Sequence, residues 1–296
     1  MLKELIEMAF KIVTDTSANL TDEVVEKYDL AVLPLTFMID GVQRKSYNKH
    51  EKSNLPAFYK EMREGKVVTT SLPNLQDSKN ELEEILKEGN DLLYIGFSSG
   101  LSGTYTAIDL ILKELASSYE NSKIYSVDTL AAAAGQGLLV WTAAEMREDG
   151  KSIEEVYRWV EDNKFKVAHW FTVDDLHFLE RGGRVSKTAA FAGTMLNIKP
   201  VLHVDNEGHL IPMEKVRGRK KSIDALVKHM EDTMNRPYDY KVLISHGDCE
   251  DDAQILKDKV IEKTGVSNVH INCLDPVIGA HSGPGTLALF FFAAGR

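Results

Sequence analysis

DLLYIGFSSGLSGTYTAIDLILKELASSY, residues 91–119, holds the grammar of the chain in one stretch. Its first seven residues form an apolar run suited to a strand buried on both faces of a parallel sheet. Its last sixteen place Ile108, Ile111, Leu112 and Leu115 on one face of a helix. Between them lies a loop rich in glycine and serine. Strand, loop and helix in this order are one step of an α/β fold.

The same alternation extends on both sides. Residues 11–15 (KIVTD) read as a strand, and Thr21 can cap a helix whose first turn carries Asp22 and Glu23. Residues 31–39 read as a strand, 53–65 and 78–89 as helices that stop at glycines, and 123–128 as a further strand. A long helix is expected over 130–148 and another, capped by Ser152, over 152–163. This order predicts a parallel sheet with helices on both faces. Beyond about residue 165 the texture changes. Residues 199–216 read as a hairpin around Asn206-Glu207-Gly208, 221–234 as a helix, and 241–247 and 268–274 as strands with a helix between them. The expectation is an α/β protein of two domains, 1–165 and 166–296, the second with a mixed sheet. No low-complexity linker marks the boundary, and the chain ends are free to cross over.

Composition narrows the function. With 296 residues, 43% hydrophobic and 27% charged, the chain has an ordinary globular make-up. A net charge of -10 and a pI near 5.4 argue against a nucleic-acid binder. Two cysteines, Cys249 and Cys273, with no CxxC, argue against a structural zinc site or a disulfide framework and point to a reducing, cytoplasmic setting. The apolar stretch 286–294 is far shorter than the roughly 20 residues of a membrane helix. That leaves transient contact with a membrane open but no integral segment. The opening MLKELIEMAF is too charged for a secretion signal, and Met8 offers an alternative start with residues 1–7 as an extension.

Several stretches can carry chemistry. GFSSG (96–100) has the G-x-S-x-G pattern of a hydrolase nucleophile elbow, which would make Ser98 the nucleophile and His281 its base. Against this, Gly100, Leu101, Ser102 and Gly103 delay the helix, and no HGG-type oxyanion stretch precedes the serine. The loop also sits at the carboxyl end of a strand and before a helix N-terminus, where anions bind. There Ser98, Ser99, Ser102 and Thr104 offer hydroxyls. A plain capping turn through Ser102 or Gly103 explains the pattern equally well. VVTTSLPN (67–74) supplies Thr69, Thr70 and Ser71 in what reads as a loop leading into a helix at 77–88. PVIGAHSGPGTLALFFF (276–292) puts His281 in a glycine-rich loop, with Gly283 and Gly285 around Pro284 suggesting a close backbone approach. LERGGRVSK (179–187) and VRGRKKS (216–222) gather Arg181, Arg184, Lys187, Arg217, Arg219, Lys220 and Lys221. Such charge is either solvated on turns or a local docking face for an acidic or phosphorylated partner. No GxGxxG or HExxH occurs, and HGDCEDD (246–252) lacks the spacing of a calcium loop.

In order and spacing, KIVTDTSANL, TTSLP, SSGLSGTY, LERGGRVSK, LNIKPVLHVD, KVRGRKKS and GAHSGPG together resemble the DegV family of fatty-acid-binding proteins, over nearly the whole chain from about Lys11. The resemblance implies two α/β domains with a long-chain fatty acid buried between or beneath them, and no metal or other cofactor. It implies that Thr70, Ser102 and His281 hold the carboxylate, while Ser71, Ser98, Ser99 and Gly103 shape the loops. It also implies a non-catalytic carrier that presents the carboxylate to a fatty acid kinase, whose acyl phosphate feeds phospholipid synthesis. Arg184 and Arg217 match positions on the partner surface. Two departures are Leu72, where glutamine is more usual, and His177, where an acidic or polar residue is common. The competing readings are the Ser98–His281 hydrolase and a regulatory sensor of acyl chains.

Overall fold

The fold was analysed in a computed structural model that describes residues 10–48, 53–186, 197–235 and 241–296. Its first half runs β1 (Phe10–Asp15), α1 (Asp22–Lys27), β2 (Ala31–Leu33), β3 (Thr36–Ile39), β4 (Val42–Lys45), α2 (Leu55–Arg63) and β5 (Val68–Ser71). It continues through α3 (Leu75–Lys87), β6 (Asp91–Gly96), α4 (Thr104–Ala116), β7 (Ile124–Asp128), α5 (Ala134–Glu148) and α6 (Ile153–Asn163). Four of these strands form a parallel sheet in the order β2-β1-β6-β7. All six residues of β6 are buried, and they alternate. Leu92 and Tyr94 pack with Leu82, Ile85, Ile108 and Leu112 of α3 and α4. Leu93 and Ile95 pack with Leu138, Leu139 and Val156 of α5 and α6 on the other face. The helix starts are chemically specified. Thr21 Oγ1 accepts from Val24 N–H, and Ser152 and Glu155 make a reciprocal capping box.

The run 31–39 is not one strand. Pro34 has no N–H to give a ladder and fixes its own φ, so the chain breaks there. Before it, β2 completes the parallel sheet; after it, β3 pairs antiparallel with both β4 and β5. The hydroxyl stretch 68–71 is accordingly a strand rather than a loop, with Phe37 opposite Thr70. The helix that follows starts at Leu75, where Asn74 accepts from Gln76 and Asp77 N–H. The helix expected from 130 starts at Ala134, because Leu130 and Ala133 both adopt positive φ in the turn before it.

The second half runs β8 (Val167–Thr172), α7 (His177–Arg181), β9 (Ile198–Val204), β10 (Leu210–Arg217) and α8 (Arg219–Thr233). Then come β11 (Val242–His246), α9 (Glu250–Thr264), β12 (Val269–Cys273), α10 (Pro276–Ser282) and β13 (Leu287–Phe292). These strands form a mixed sheet in the order β10-β9-β8-β13-β11-β12, parallel only between β11 and β12. His281 lies in α10, not in a loop. Asp275 Oδ1 accepts from Val277 and Ile278 N–H, Pro276 takes the first helical position, and Gly283 at φ 83 stops the helix.

α5 joins the two halves. It touches β1 and β6 of the first sheet and β8, β11 and β13 of the second. Its sequence AGQGLLVWTAA is buried on nearly every side, so it carries no polar stripe. Gly137 is required here, since a Cβ would stand 2.4 Å from Ala18 O. Among the described residues no helix is long and apolar enough to cross a membrane.

Candidate functional site

A cavity of about 260 Å³ is lined by the end of β5, the glycine loop before α4, α10 and residues of β8 and β13 in the mixed sheet. Its body is apolar, formed by Phe97, Ala133, Phe171, Leu210, Ala288 and Phe290. Phe171 and Ala288 stand opposite each other on β8 and β13, as do His169 and Phe290 one step further along. Polar groups gather around Thr70 of β5, Ser102 before α4, His281 of α10 and Arg184 after α7, all of which line the same cavity.

Residues 211 apart in sequence make the central contact. Thr70 Oγ1 and His281 Nε2 are 2.7 Å apart. Burial, with the charges of Arg184 and Arg181, pushes the His281 pKa down to about 4, so the imidazole is neutral at pH 7. Gly182 makes room for it, since a Cβ there would meet His281 Nδ1 at 2.2 Å. The RGGR turn therefore needs its first glycine for contact and its second for a φ of +74°. Arg184 curls back over this turn. Its Nε donates to Leu101 O at 3.1 Å and its Nη1 to Gly182 O. Burial lowers its pKa, but a guanidinium keeps its charge.

Ser102 serves two purposes. Its Oγ accepts from Thr104 N–H at 3.2 Å and lies 2.9 Å from Thr104 Oγ1, a turn just ahead of the Gly103 cap that satisfies the first N–H of α4. The same residue lines the cavity. The capping and ligand-facing readings of the loop are thus compatible. Ser71 also lines the cavity, at the exposed end of β5, and Gly103 is the exposed cap position of α4. Leu72 stands at the mouth, 37% exposed, close to Gly103.

Ser98 does not meet His281. It is fully buried, and its Oγ donates to Gly208 O at 2.9 Å while accepting from Gly100 N–H at 3.2 Å. The nucleophile-elbow arrangement is therefore not assembled. The G-x-S-x-G pattern has another cause: the loop interlocks with the β9–β10 turn. A Cβ on Gly100 would lie 2.5 Å from Glu207 O, and one on Gly208 would lie 2.1 Å from Ser98 Oγ. Ser99 is exposed and its N–H donates to Asp128 Oδ1.

The family model described as "Uncharacterised protein, DegV family" matches residues 9–294. This chain belongs to the DegV family. Among similar DegV proteins, a DegV domain-containing protein of Clostridium perfringens is 44% identical over 284 residues, 95% of this chain and 97% of its own. A DegV lipid binding protein of Thermotoga maritima shares the fold at a TM-score of 0.85 and 32% identity, covering 98% of this chain and 100% of that one. A second Thermotoga maritima protein, whose structure is described as revealing fatty acid binding function, gives 0.84 and 32% over 97% and 100%. A DegV family protein of Thermus thermophilus, described by its fatty acid binding, gives 0.85 and 30% over 97% and 100%.

In this DegV chain two residues line the cavity that the sequence does not assign to it. Arg184, expected at a partner surface, also forms part of the cavity wall. His169 was not singled out. It is 2% exposed, its Nδ1 donates to Val167 O at 3.0 Å and its Nε2 accepts from Ala132 N–H at 3.2 Å. A polar residue at a buried position of VAHWFT was the available signal. The expected basic face is also partly drawn inward. Arg217 is exposed at the end of β10, but Arg219 binds Asp252 at 2.8 Å and Cys249 Sγ at 3.2 Å. Lys187 lies outside the described residues, as do residues 1–7. His177 is exposed at the start of α7, its N–H on Asp175 Oδ1. No group of three or more metal-binding side chains occurs among the described residues.

Proposed function

We propose that this protein binds a long-chain fatty acid in the cavity and presents its carboxylate at the Thr70, Ser102 and His281 end to a fatty acid kinase. The observation that carries this reading is one apolar-walled space with hydroxyls, a neutral imidazole and a guanidinium gathered in a single part of its wall. The DegV relatives described as fatty-acid or lipid binding, at about a third identity over nearly the full length, support it. At the roughly 30 Å³ that a water takes in the liquid, 260 Å³ holds on the order of nine such units, about half the heavy atoms of a C16 acid, so a long chain would need the apolar walls to open further around it. Burying about 15 carbons at ~0.8 kcal/mol each gives on the order of 12 kcal/mol of gross driving force, before ordering and association costs.

The head group needs several donors to repay its desolvation. Neutral His281 donates its Nε2–H to Thr70 Oγ1, which frees the Thr70 hydroxyl to donate to the carboxylate beside that of Ser102, and Arg184 supplies charge beside them. None of these is an activated nucleophile, so the protein is a carrier and the phosphoryl transfer belongs to its partner. Exposed Arg217 is left for docking that partner, whose acyl phosphate product would enter phospholipid synthesis.

Denaturing mass spectrometry of the purified protein tests the first step. A stoichiometric fatty acid, depleted in Thr70→Val and Ser102→Ala, is the expected result. A protein free of lipid that also fails to take up added palmitate overturns the reading. For the second step, a fatty acid kinase supplied with the loaded protein should form acyl phosphate. Loading without turnover by any such kinase would instead mark a sensor of acyl chains.

A further inference from the structure

The cavity has a direction, and β13 sets it. Thr286, just before β13, and Ala288 and Phe290 within it all line the space. At about 3.3 Å per residue they span roughly 13 Å. One end is the head-group end, where Thr286 Oγ1 donates to Ser282 O beside His281. The other end is at Phe290, paired with His169 of β8, whose Nε2 accepts from Ala132 N–H. Arg296 gathers the chain at that far end.

A guanidinium has five N–H groups, and half-buried Arg296 spends all five on main-chain carbonyls. Its Nε donates to Val167 O at 3.2 Å. Its Nη1 donates to Asp205 O at 3.0 Å and to Leu130 O, and its Nη2 to Thr129 O at 3.1 Å and Lys164 O at 3.0 Å. These carbonyls belong to three stretches far apart in sequence: the turn before α5, the link from α6 to β8, and the β9–β10 turn. Each stretch enters the cavity wall within a few residues. Thr129 and Leu130 lead to Ala132 and Ala133, Val167 leads to His169, and Asp205 follows Val204. Burial lowers the Arg296 pKa to about 10, so the group is charged at pH 7, while its acceptors are neutral. A charge held inside is costly when it loses partners, so removing one stretch weakens the hold on the others. The bonds form and break as a set. The guanidinium also has a way out, because Ala294 and Gly295 before it are exposed, and a Cβ on Gly295 would meet nothing within 4 Å.

We propose that Arg296 is a clasp on the tail end of the cavity and sets the length of acyl chain that the cavity accepts. The inference rests on the lipid reading and deepens it. A long acid needs more room than the closed cavity gives, and beyond Phe290 the walls are turns rather than paired strands. Turns yield at lower cost than a sheet ladder. With the clasp engaged, the turns close behind Phe290, and carbons past that point have no apolar site. With it released, the turns part, and each further methylene that enters gains about fourfold in affinity. Arg296 does not itself line the cavity, so it is a positioning residue that shapes the far wall through the three stretches it holds.

The test is a chain-length profile. Affinities of the delipidated full chain for saturated acids from capric to stearic are measured by displacement of a fluorescent fatty acid. In the parent the gain per carbon should level off with length. In Arg296→Ala it should continue, raising the stearate-to-caprate affinity ratio at least tenfold. Added methylguanidinium should fill the vacated place and bring the ratio back. Arg296→Lys, with one ammonium for five carbonyls, should fall between. Val260→Ala, in the core beneath α9 and away from the cavity, serves as the stability control and should leave the ratio at the parent's value. An unchanged ratio in Arg296→Ala, or an equal rise in Val260→Ala, overturns the clasp and leaves the lipid reading standing. A parent that binds none of these acids overturns the lipid reading and the clasp with it. Should Arg296→Ala fail to fold, Arg296→Lys decides: a raised ratio supports the clasp, and the parent's ratio overturns it.

Discussion

The cavity has two histidines, and they are opposites. His169 is buried and His281 half-buried, and both are held neutral, His281 with its pKa near 4 and His169 well below the ordinary value, in each case mainly because burial penalises the charged ring. His169 spends both ring nitrogens on backbone, at Val167 O and Ala132 N–H. It ties β8 to the turn before α5 and has nothing left to offer a ligand. Among the described residues His281 has one hydrogen-bond partner, the Thr70 hydroxyl, which can itself rotate. A fully satisfied polar group builds the fold, whereas a partly satisfied one facing a cavity is available for chemistry. In the sequence the two differ in setting, His281 lying between glycines and His169 within an apolar run.

Substituting the glycines beside each ring breaks the comparison most sharply. A Cβ on Gly135 would meet His169 Nε2 at 2.1 Å, and one on Gly182 would meet His281 Nδ1 at 2.2 Å. The local clash is alike, but the freedom to yield is not. Gly135→Ala should cost ~3 kcal/mol or more, because neither α5 nor β8 can move. Gly182→Ala should cost under ~1 kcal/mol, since His281 can swing into the cavity, yet it should strip bound lipid. Urea melts and lipid extraction measure the two. Equal destabilisation by both would erase the distinction.

The rings themselves give the next effect. His169→Leu leaves the part-buried Ala132 N–H without its partner, while Val167 O keeps Arg296 Nε, and should lose about 1–2 kcal/mol. His281→Gln should stay within ~1 kcal/mol of the parent while lipid retention drops at least tenfold. A His281→Gln protein that keeps its lipid would remove His281 from the head-group site.

Most of the fold was legible because β6, β13 and α4 write their burial directly as apolar runs and periodicity. What was not legible has physical causes. A strand break at Pro34 divides a uniformly apolar run between two sheets, and only pairing partners reveal it. Residues 68–71 read as a loop because their hydroxyls are polar, although β3 gives them a ladder. Of the site, Thr70, Ser102 and His281 were named from the order of the motifs, and they do line one cavity. Arg184 was named for the partner surface from the resemblance, and its place in the cavity wall was not legible. Nothing in the sequence says that the turn folds back onto Leu101.

The pH dependence sharpens the contrast more gently. Unfolded histidine takes a proton near pH 6.5, and folded His281 only near 4. Between those values the unfolded chain holds more protons, so this contribution to stability is complete above pH 6.5 and is lost as pH falls toward 4. Asp275 runs the other way. Burial raises its pKa to about 7, so its contribution is present near pH 4 and is lost as pH rises toward 7. The two overlap in the parent, and the variant separates them. His281→Gln should gain on the order of 1–2 kcal/mol over the parent between pH 7 and 4.5, after allowance for the ring's partial exposure. Guanidinium melts at both pH values read it, and parallel curves would contradict a depressed His281.

The smallest effect concerns the two serines of the glycine loop, which repeat the contrast of the histidines four residues apart. Ser98 closes its bonds on Gly208 O and Gly100 N–H in a space with no solvent. Ser98→Ala leaves the Gly208 carbonyl short of a donor at the interlocked turn and should cost about 1.5 kcal/mol, with lipid retention per folded molecule unchanged. Ser102 accepts one bond as a cap and still faces the cavity. Ser102→Ala should cost about 0.5–1 kcal/mol, the value of a lost cap, but should loosen the bound lipid. A fluorophosphonate should label neither, because Ser98 is sealed and Ser102 has no base beside it. The decisive pattern is a crossing: the serine that matters more for stability matters less for the ligand. If both substitutions moved stability and lipid retention in proportion, the loop would be acting as one structural unit, and Ser102 would have no separate claim to the head group.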